Sequence, residues 1–277
     1  MKTIGRLGMT LAIVLLSSRL LRAGDPFPVE PFPYPHRSVA ASLDFNGIRY
    51  NPSSLGLGQG VEFAWHHKFS GDPTGFNSLA MRAKNFGFSV SWLDDNLYGK
   101  RREYFLAAGK SVSRYATLGA SLRWLKADDS LLQNRTTINF GTTITPAPAW
   151  TAGIRWENAF HTSVGGVSTD GLWVFGVSSR PVGPKAEFSL DWYYPGWATL
   201  SDTDFRLAVK FQPTLGVNLR GYLDTEERIG LELELAVERS KGGAEVRWQD
   251  FSEYGDGTLY LTVLNQEYPD ARRRSRQ

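Results

Sequence analysis

Histidine is the commonest metal ligand among the side chains, and this sequence has four, at His36, His66, His67 and His161. His66 and His67 are adjacent in a predicted strand, so their side chains point to opposite faces and cannot bind one metal ion together. Two carboxylate pairs, Asp94–Asp95 and Asp128–Asp129, fall in predicted loops. Such oxygens could hold calcium, but solvated loop carboxylates are the commoner case. We therefore predict no metal site and no cofactor.

The residues that carry nucleophilic or phosphate chemistry are missing from the sequence or lack the necessary context. The chain has no cysteine, which excludes a thiol nucleophile, a thiolate zinc site, an iron–sulfur cluster and a lipoprotein anchor. Gly56, Gly58 and Gly60 are not followed by a helical pattern, so they do not predict a phosphate-binding loop. No serine, histidine and aspartate stand in a recognisable catalytic arrangement. We predict that the protein is not an enzyme and has no catalytic residues.

Composition favours strands and tight turns over helices. The 277 residues include 28 glycines and 13% aromatic residues. The mean hydropathy of −0.29 excludes a bundle of membrane helices but allows a membrane β-barrel, whose strands are only half apolar. Because 31 basic residues balance 28 acidic ones, nothing in the charge indicates a nucleic-acid partner.

From about residue 60 the apolar residues recur with a period of two, as in Phe205, Leu207, Val209 and Phe211. This alternation is typical of strands with one apolar face. It predicts 14 strands, at 60–69, 77–84, 86–94, 102–112, 116–126, 134–145, 150–160, 170–180, 185–194, 204–212, 215–224, 228–239, 243–250 and 257–265.

The connections between these strands fall into two sets that alternate along the chain. One set is short, at 85, 113–115, 146–149, 181–184, 213–214 and 240–242. The other is mostly longer and polar, at 70–76, 95–101, 127–133, 161–169, 195–203, 225–227 and 251–256. Outer-membrane barrels have short periplasmic turns, longer external loops and an even number of strands. We therefore predict an all-β, up-and-down antiparallel transmembrane β-barrel of about 14 strands.

Six tryptophans lie on the apolar face near the ends of strands that would run in the same direction. They predict one aromatic girdle at the outer membrane interface, made of Trp65, Trp92, Trp124, Trp156, Trp192 and Trp248.

The other face of the strands would line the lumen, and its charges have both signs. Opposite charges on neighbouring strands stabilise their pairing, and such a mixture favours a filled lumen over an ion-selective pore. The alternative is an ordinary solvated sheet face. The predicted lumen-lining charges are Arg123, Arg155, Glu157, Glu187, Asp191, Arg206, Lys210, Arg220, Glu232, Glu234, Glu245 and Arg247.

Both ends of the chain differ from the barrel region. Residues 1–23 have a short positive segment, an apolar stretch and a cleavage site typical of a secretory signal peptide. Residues 24–59 are a Pro-rich arm followed by a hatch-like segment. Residues 60–265 form the predicted barrel, and residues 266–277 are a basic C-terminal tail.

The stretch Asn51-Pro52-Ser53-Ser54-Leu55-Gly56 precedes the first predicted strand. It resembles the N-P-x-x-L stretch at this position in the long-chain fatty-acid transporter (FadL-like) family of outer-membrane barrels, which includes barrels attached to secretion machinery. The resemblance implies a 14-stranded barrel with an N-terminal hatch in its lumen. It makes Asn51 and Pro52 the hatch junction and Ser38–Tyr50 the hatch. Two departures are the shortness of the predicted external loops and a last strand followed by a tail without a final aromatic residue.

Three functions remain open at this point. The first is an outer-membrane barrel, in contact with lipid, that passes or binds hydrophobic small molecules, with an apolar pocket behind the hatch that includes Phe27, Phe32, Tyr34 and Phe45. The second is a non-transporting barrel that anchors or scaffolds a periplasmic or secretion partner. The third is a secreted, soluble β-sandwich binding domain.

Overall fold

The alternating segments of the sequence form antiparallel strands in the computed structural model. It describes residues 34, 37–42, 44–57, 60–70, 75–95, 99–127, 135–160, 163–164, 167–168, 171–196, 203–249 and 253–264. The predicted signal peptide, most of the Pro-rich arm, including Phe27 and Phe32, and the basic tail lie outside these residues.

Within the described residues the chain forms 16 strands. Their bounds are β1 Val61–Ser70, β2 Asn77–Ala83, β3 Phe86–Asp95, β4 Gly99–Ser111, β5 Ala116–Ala127, β6 Arg135–Ala147, β7 Trp150–Glu157, β8 Ser163–Val164, β9 Val167–Ser168, β10 Leu172–Ser179, β11 Ala186–Pro195, β12 Asp204–Thr214, β13 Val217–Asp224, β14 Ile229–Val237, β15 Ser240–Gln249 and β16 Glu253–Leu264. Three short helical segments accompany them: α1 at Gly47–Tyr50 and 3-10 turns at Pro52–Leu57 and Gly183–Lys185.

Fourteen of the strands close one barrel, in which each strand pairs antiparallel with its neighbours along the chain. The first and last strands close it, with Trp65 of β1 opposite Leu261 of β16. The predicted up-and-down barrel of 14 strands is therefore confirmed. The remaining pair, β8 and β9, is a separate two-stranded hairpin inside the connection predicted at 161–169.

The outer surface of the barrel is apolar and the inner surface is polar. On β14, Leu231, Leu233 and Leu235 are exposed by 55%, 44% and 50%, whereas the alternating Glu232 and Glu234 are buried. A soluble β-sandwich would bury its leucines between two packed sheets. The soluble β-sandwich alternative is therefore wrong for the described residues, which close a single sheet on itself.

The described part of the N-terminal region lies inside the barrel and packs against its wall. We call residues 34, 37–42 and 44–57 the plug. Phe45, Ile48 and Leu55 of the plug form an apolar cluster with inward-facing residues of β1, β2 and β4, namely Ala64, Ala80, Phe105 and Ala107. The core of the molecule therefore lies between the plug and the wall of the barrel. None of the helices in the described residues has the length and apolar character needed to span a bilayer.

Candidate functional site

The plug is an irregular chain whose turns are fixed by its own polar side chains. Asp44 Oδ1 accepts hydrogen bonds from the backbone N–H and the side-chain amide of Asn46, at 3.0 and 2.8 Å. Asn51 Oδ1 accepts from the backbone N–H and the hydroxyl of Ser53, at 3.2 and 2.7 Å. Asparagine and aspartate commonly stabilise turns in this way. These turns compact the plug so that it fits within the barrel.

A row of glycines in the barrel wall accommodates the backbone of the plug. Gly109 on β4 pairs with Gly119 on β5, which pairs with Gly141 on β6. A β-carbon on Gly119 would lie 2.3 Å from the carbonyl carbon of Pro52, and one on Gly109 would lie 2.5 Å from the Pro52 oxygen. Side chains cannot come this close, so only glycine allows the contact. Our sequence analysis missed this row, although three glycines at facing positions of consecutive predicted strands would have indicated it.

Asn51 and Pro52 lie at this contact between the plug and the wall. Asn51 is fully buried, and its amide donates to the Val39 carbonyl at 2.8 Å and to Thr143 Oγ1 of β6 at 3.1 Å. It therefore joins two parts of the plug to each other and to the wall. The wall strands at this contact are β4, β5 and β6. They come later in the sequence than β1, the strand that directly follows the plug.

Ion pairs also fasten the plug, to β14 and β15 across the barrel from the glycine row and to β4 on the same side as that row. The guanidinium of Arg37 makes two hydrogen bonds to Glu232 of β14, at 2.7 and 2.9 Å. Asp44 accepts from Lys241 Nζ of β15 at 2.9 Å, and Arg49 pairs with Glu103 of β4.

The charges around the plug determine the ionisation of its own charged residues. Burial alone would raise the pKa of Asp44, but the positive charges of Lys241 and Arg37 outweigh burial and hold that pKa well below its ordinary value. Burial alone would lower the pKa of Arg37, yet Glu232 raises it above the ordinary value. Both plug residues are therefore charged in the folded barrel near neutral pH.

The structure brings most of the charges predicted for the lumen into ion pairs, which join different strands except for Arg155–Glu157 within β7 and Arg180, which follows β10. Arg123 reaches Glu103 at 2.5 Å and Glu157 at 3.1 Å. The other pairs are Arg155–Glu157 at 3.0 Å, Arg206–Asp224 at 3.0 Å, Arg220–Glu232 at 2.7 Å, Arg247–Asp256 at 2.6 Å and Arg180–Glu187 at 2.5 Å. Sequence analysis did not single out Glu103, Asp224 and Asp256, although Asp224 alternates in phase with the predicted lumen charge Arg220 on the same strand.

The remaining predicted lumen charges have other neighbours. Asp191 accepts from the Ser38 hydroxyl of the plug at 2.8 Å, and Glu234 accepts from the amide of Asn218 at 2.9 Å. Glu245 is buried, and its Oε1 lies 3.6 Å from Nε of Arg247. Lys210 faces Glu187 on one neighbouring strand and Arg220 on the other.

The six predicted interface tryptophans lie on β1, β3, β5, β7, β11 and β15. Trp65 and Trp92 are exposed by 39% and 38%, and Trp65 is at the middle of its strand. Trp156 stacks on Trp173 of the adjacent strand, with ring centroids 4.8 Å apart, and Trp192 stacks on Phe205 at 6.1 Å. Cross-strand aromatic pairs of this kind stabilise a sheet.

Apolar side chains gather at the end of the lumen that has the longer connections. Tyr34 of the plug forms a buried cluster there with Phe76, Leu93 and Leu125. Phe76 precedes β2, and Leu93 and Leu125 lie near the last residues of β3 and β5. The cluster is a buried apolar region at the mouth of the lumen that has the longer connections. Of the four aromatic residues predicted for a pocket behind the hatch, Tyr34 and Phe45 belong to the described plug.

Three solved structures have a similar fold. The CymD monoaromatic hydrocarbon channel matches with a TM-score of 0.56 at 11% identity, over 84% of this chain and 96% of that chain. The toluene transporter TodX of P. putida matches with a TM-score of 0.55 at 9% identity, over 80% of this chain and 94% of that one. The toluene transporter TbuX of Ralstonia pickettii gives 0.53 at 13% identity, over 79% and 93%.

No protein-family model matches the sequence, and no curated protein matches it. At identities near one in ten, the structural neighbours establish a shared fold, and function must be argued from the site. The chain therefore shares the barrel fold of these hydrocarbon channels and toluene transporters, as the FadL-like resemblance implied.

Proposed function

We propose that the protein is an outer-membrane barrel that passes or holds hydrophobic small molecules, with residues 24–59 acting as its hatch. The observation that carries the proposal is the apolar cluster of Tyr34, Phe76, Leu93 and Leu125 at the mouth with the longer connections. The four side chains are buried, so the cluster is an apolar interior, and a hydrophobic solute gains free energy by leaving water for such an environment. The names of the three fold neighbours, which describe a hydrocarbon channel and two toluene transporters, support the same solute class.

The outer membrane is the proposed location because the apolar outer face of the barrel suits contact with lipid. Leu231, Leu233 and Leu235 are among many exposed apolar side chains on that face. Closed barrels satisfy all their backbone hydrogen bonds and can therefore span a bilayer. Export through the signal peptide at residues 1–23 is part of this proposal.

The experiment is uptake of labelled toluene by Gram-negative cells that express the chain, compared with cells that carry an empty vector. We expect faster uptake in the expressing cells and a loss of most of the increase in Leu125→Gln, because an amide at the apolar mouth is costly to desolvate. Leu215→Gln, at a turn where the side chain is 95% exposed, is the matched control. Equal uptake with and without the wild-type chain would contradict the proposal.

A second candidate function is favoured by the way the plug is held. Arg37, Asp44 and Arg49 are each paired to the wall, which suits a barrel that anchors or scaffolds a periplasmic or secretion partner without transport. A periplasmic protein that co-purifies with the full chain, and is lost when residues 266–277 are removed, would support this candidate. Recovery of the barrel alone in both cases would count against it.

A further inference from the structure

His66 is a buried imidazole whose hydrogen-bonding capacity is unused. Its side chain points into the lumen from β1 and is 1% exposed. Neither Nδ1 nor Nε2 has a hydrogen-bond partner among the described residues. A neutral imidazole offers one donor and one acceptor, and burying both without partners is unfavourable. Such a group in the interior of a protein requires an explanation.

Three aromatic rings surround this imidazole. Tyr34 and Phe45 of the plug lie 5.4 and 5.1 Å away between ring centroids, and Tyr260 of β16 lies 6.0 Å away. The Tyr34 hydroxyl donates to Ser78 Oγ at 2.8 Å, and the Tyr260 hydroxyl bonds to Glu232 and Glu234. Both hydroxyls are therefore committed elsewhere. The three rings present aromatic surface to His66 but form no hydrogen bond with either of its ring nitrogens.

A second unused polar group lies on the same part of the wall. Tyr260 is opposite His66 in the register of β1 and β16, and Thr262 follows two residues later on the same face. Thr262 is fully buried, and its hydroxyl has no hydrogen-bond partner among the residues described. Diagonal neighbours of this kind are about 7–8 Å apart. Thr262 is therefore a diagonal neighbour of His66 on the lumen face, and both side chains are buried with unused hydrogen-bonding capacity among the described residues.

The position of the Tyr34 ring indicates what a ligand at this place would look like. Tyr34 is itself a phenol, and it is packed edge-on to His66. Its ring is also covered by the guanidinium of Arg49, whose central carbon lies 3.7 Å from the ring centroid. A cation over a ring favours an electron-rich aromatic system. Between Arg49 and His66 there is thus a place for one flat aromatic ring, occupied in this structure by the plug.

We propose that His66 is the binding point for a small aromatic ligand with a hydroxyl group, a phenol, whose ring takes the place of the Tyr34 ring. The hydroxyl bonds to the imidazole, and the ring lies against Phe45 and Tyr260 beneath Arg49. A hydrocarbon such as toluene fills the same space but leaves the imidazole unpaired. Sites built to bond a hydroxyl discriminate against analogues that lack it. The inference rests on the proposed function only for the route by which the ligand reaches the lumen.

The test measures binding of 4-fluorophenol and 4-fluorotoluene to the purified full chain in detergent by fluorine NMR, corrected with empty micelles. The wild type is expected to prefer 4-fluorophenol, and His66→Phe is expected to reduce that preference roughly five- to tenfold, the value of one hydrogen bond. His67→Phe is the matched control, because His67 lies on the same strand, stacks on Trp65 and bonds to Asn77. An unchanged preference in His66→Phe would overturn the proposal and would indicate that His66 binds water only.

Two measurements keep the proposal testable if His66→Phe does not fold. Tyr34→Ala leaves the wall intact and removes the ring that occupies the position between Arg49 and His66. It should therefore tighten 4-fluorophenol binding several-fold. In the wild type, the imidazole nitrogen resonances of His66 should shift on addition of phenol and remain unchanged with toluene. Weaker binding in Tyr34→Ala, or no shift of the His66 resonances with phenol, would overturn the proposal.

The outcome separates this inference from the proposed function. If cells take up toluene but the purified chain shows no preference for 4-fluorophenol, the proposed function stands and the phenol site is wrong. If the chain binds 4-fluorophenol through His66 but cells gain no uptake of toluene or phenol, the site stands and the transport proposal fails.

Discussion

Arg37 and Glu232 are 195 residues apart in sequence and are joined by two hydrogen bonds, at 2.7 and 2.9 Å, inside the barrel. Glu232 also accepts from Arg220 of β13, so one carboxylate connects the plug to two strands of the wall. Bidentate pairs of arginine and carboxylate are among the stronger hydrogen-bonded contacts in proteins. This contact fixes the part of the plug that precedes the residues held by the glycine row.

Replacing Arg37 by methionine should loosen the plug. Hydrogen bonds to charged groups contribute about 1.5–3 kcal/mol, and Glu232 keeps Arg220 as a partner, so we expect a loss of about that size in plug docking. Single-channel recordings should show more frequent open events in Arg37→Met. Arg180→Met is the matched control, because Arg180 pairs with Glu187 and not with the plug. Equal open probabilities in the two variants would contradict this role of Arg37.

Replacing Gly119 by alanine should displace the plug from the wall. The added methyl group would overlap the backbone of Pro52, and overpacking of this kind typically costs about 1–3 kcal/mol. Limited proteolysis should then cleave the plug faster than in the wild type. Gly221→Ala is the control, since a β-carbon there would lie 3.3 Å from a leucine side chain on the neighbouring strand and would not meet the plug. If the cleavage rates of the two variants are the same, the close contact at Gly119 is not important for docking.

The contribution of Asp44 to docking of the plug should be insensitive to pH until the solution is strongly acidic. Because the folded barrel lowers the pKa of Asp44 below its ordinary 3.8, ionised Asp44 stabilises the docked plug above that value, and the contribution is lost as the pH falls further. The difference in plug protection between wild type and Asp44→Asn should be constant from about pH 8 to 5 and should shrink below about pH 4. Proteolysis with an acid-stable enzyme would measure it. A difference that disappears near pH 6 would contradict this assignment.

Removing residues 26–50 should open the lumen. The deletion takes away Arg37, Asp44 and Arg49, which form ion pairs with the wall in the described part of the plug, while the strands remain. We expect a large rise in conductance in a planar bilayer. Heat-dependent mobility on an SDS gel should be retained, which would show that the barrel still forms. Unchanged conductance in a barrel that has formed would mean that these residues do not block the lumen.

The barrel could be predicted from the sequence because its signal is local. The alternation of Phe205, Leu207, Val209 and Phe211 needs no knowledge of the partner strand, and turn residues mark the connections. Strand number and connectivity followed from that pattern. The phase of the alternation likewise identifies which charges share a face, as with Glu232 and Glu234 on β14.

The plug could not be predicted in the same way, because its structure depends on contacts far away in the sequence. The sequence of residues 34–57 has no period of two or 3.6, and the position of the plug is determined by Glu232, Lys241 and the glycines of β4 to β6. The environment of His66 was missed for the same reason. The sequence shows that His66 and His67 face opposite sides, but only the fold brings Tyr34, Phe45 and Tyr260 around one of them.

The most direct test of the account is the selectivity of uptake between a hydrophobic and a polar solute of similar size. Labelled toluene and labelled glycerol would be offered to the same Gram-negative cells with and without the intact chain. The account predicts that the chain increases toluene uptake several-fold and leaves glycerol uptake unchanged, because the plug closes the aqueous path while the apolar mouth admits the hydrocarbon. Increased glycerol uptake without increased toluene uptake would contradict the central claim.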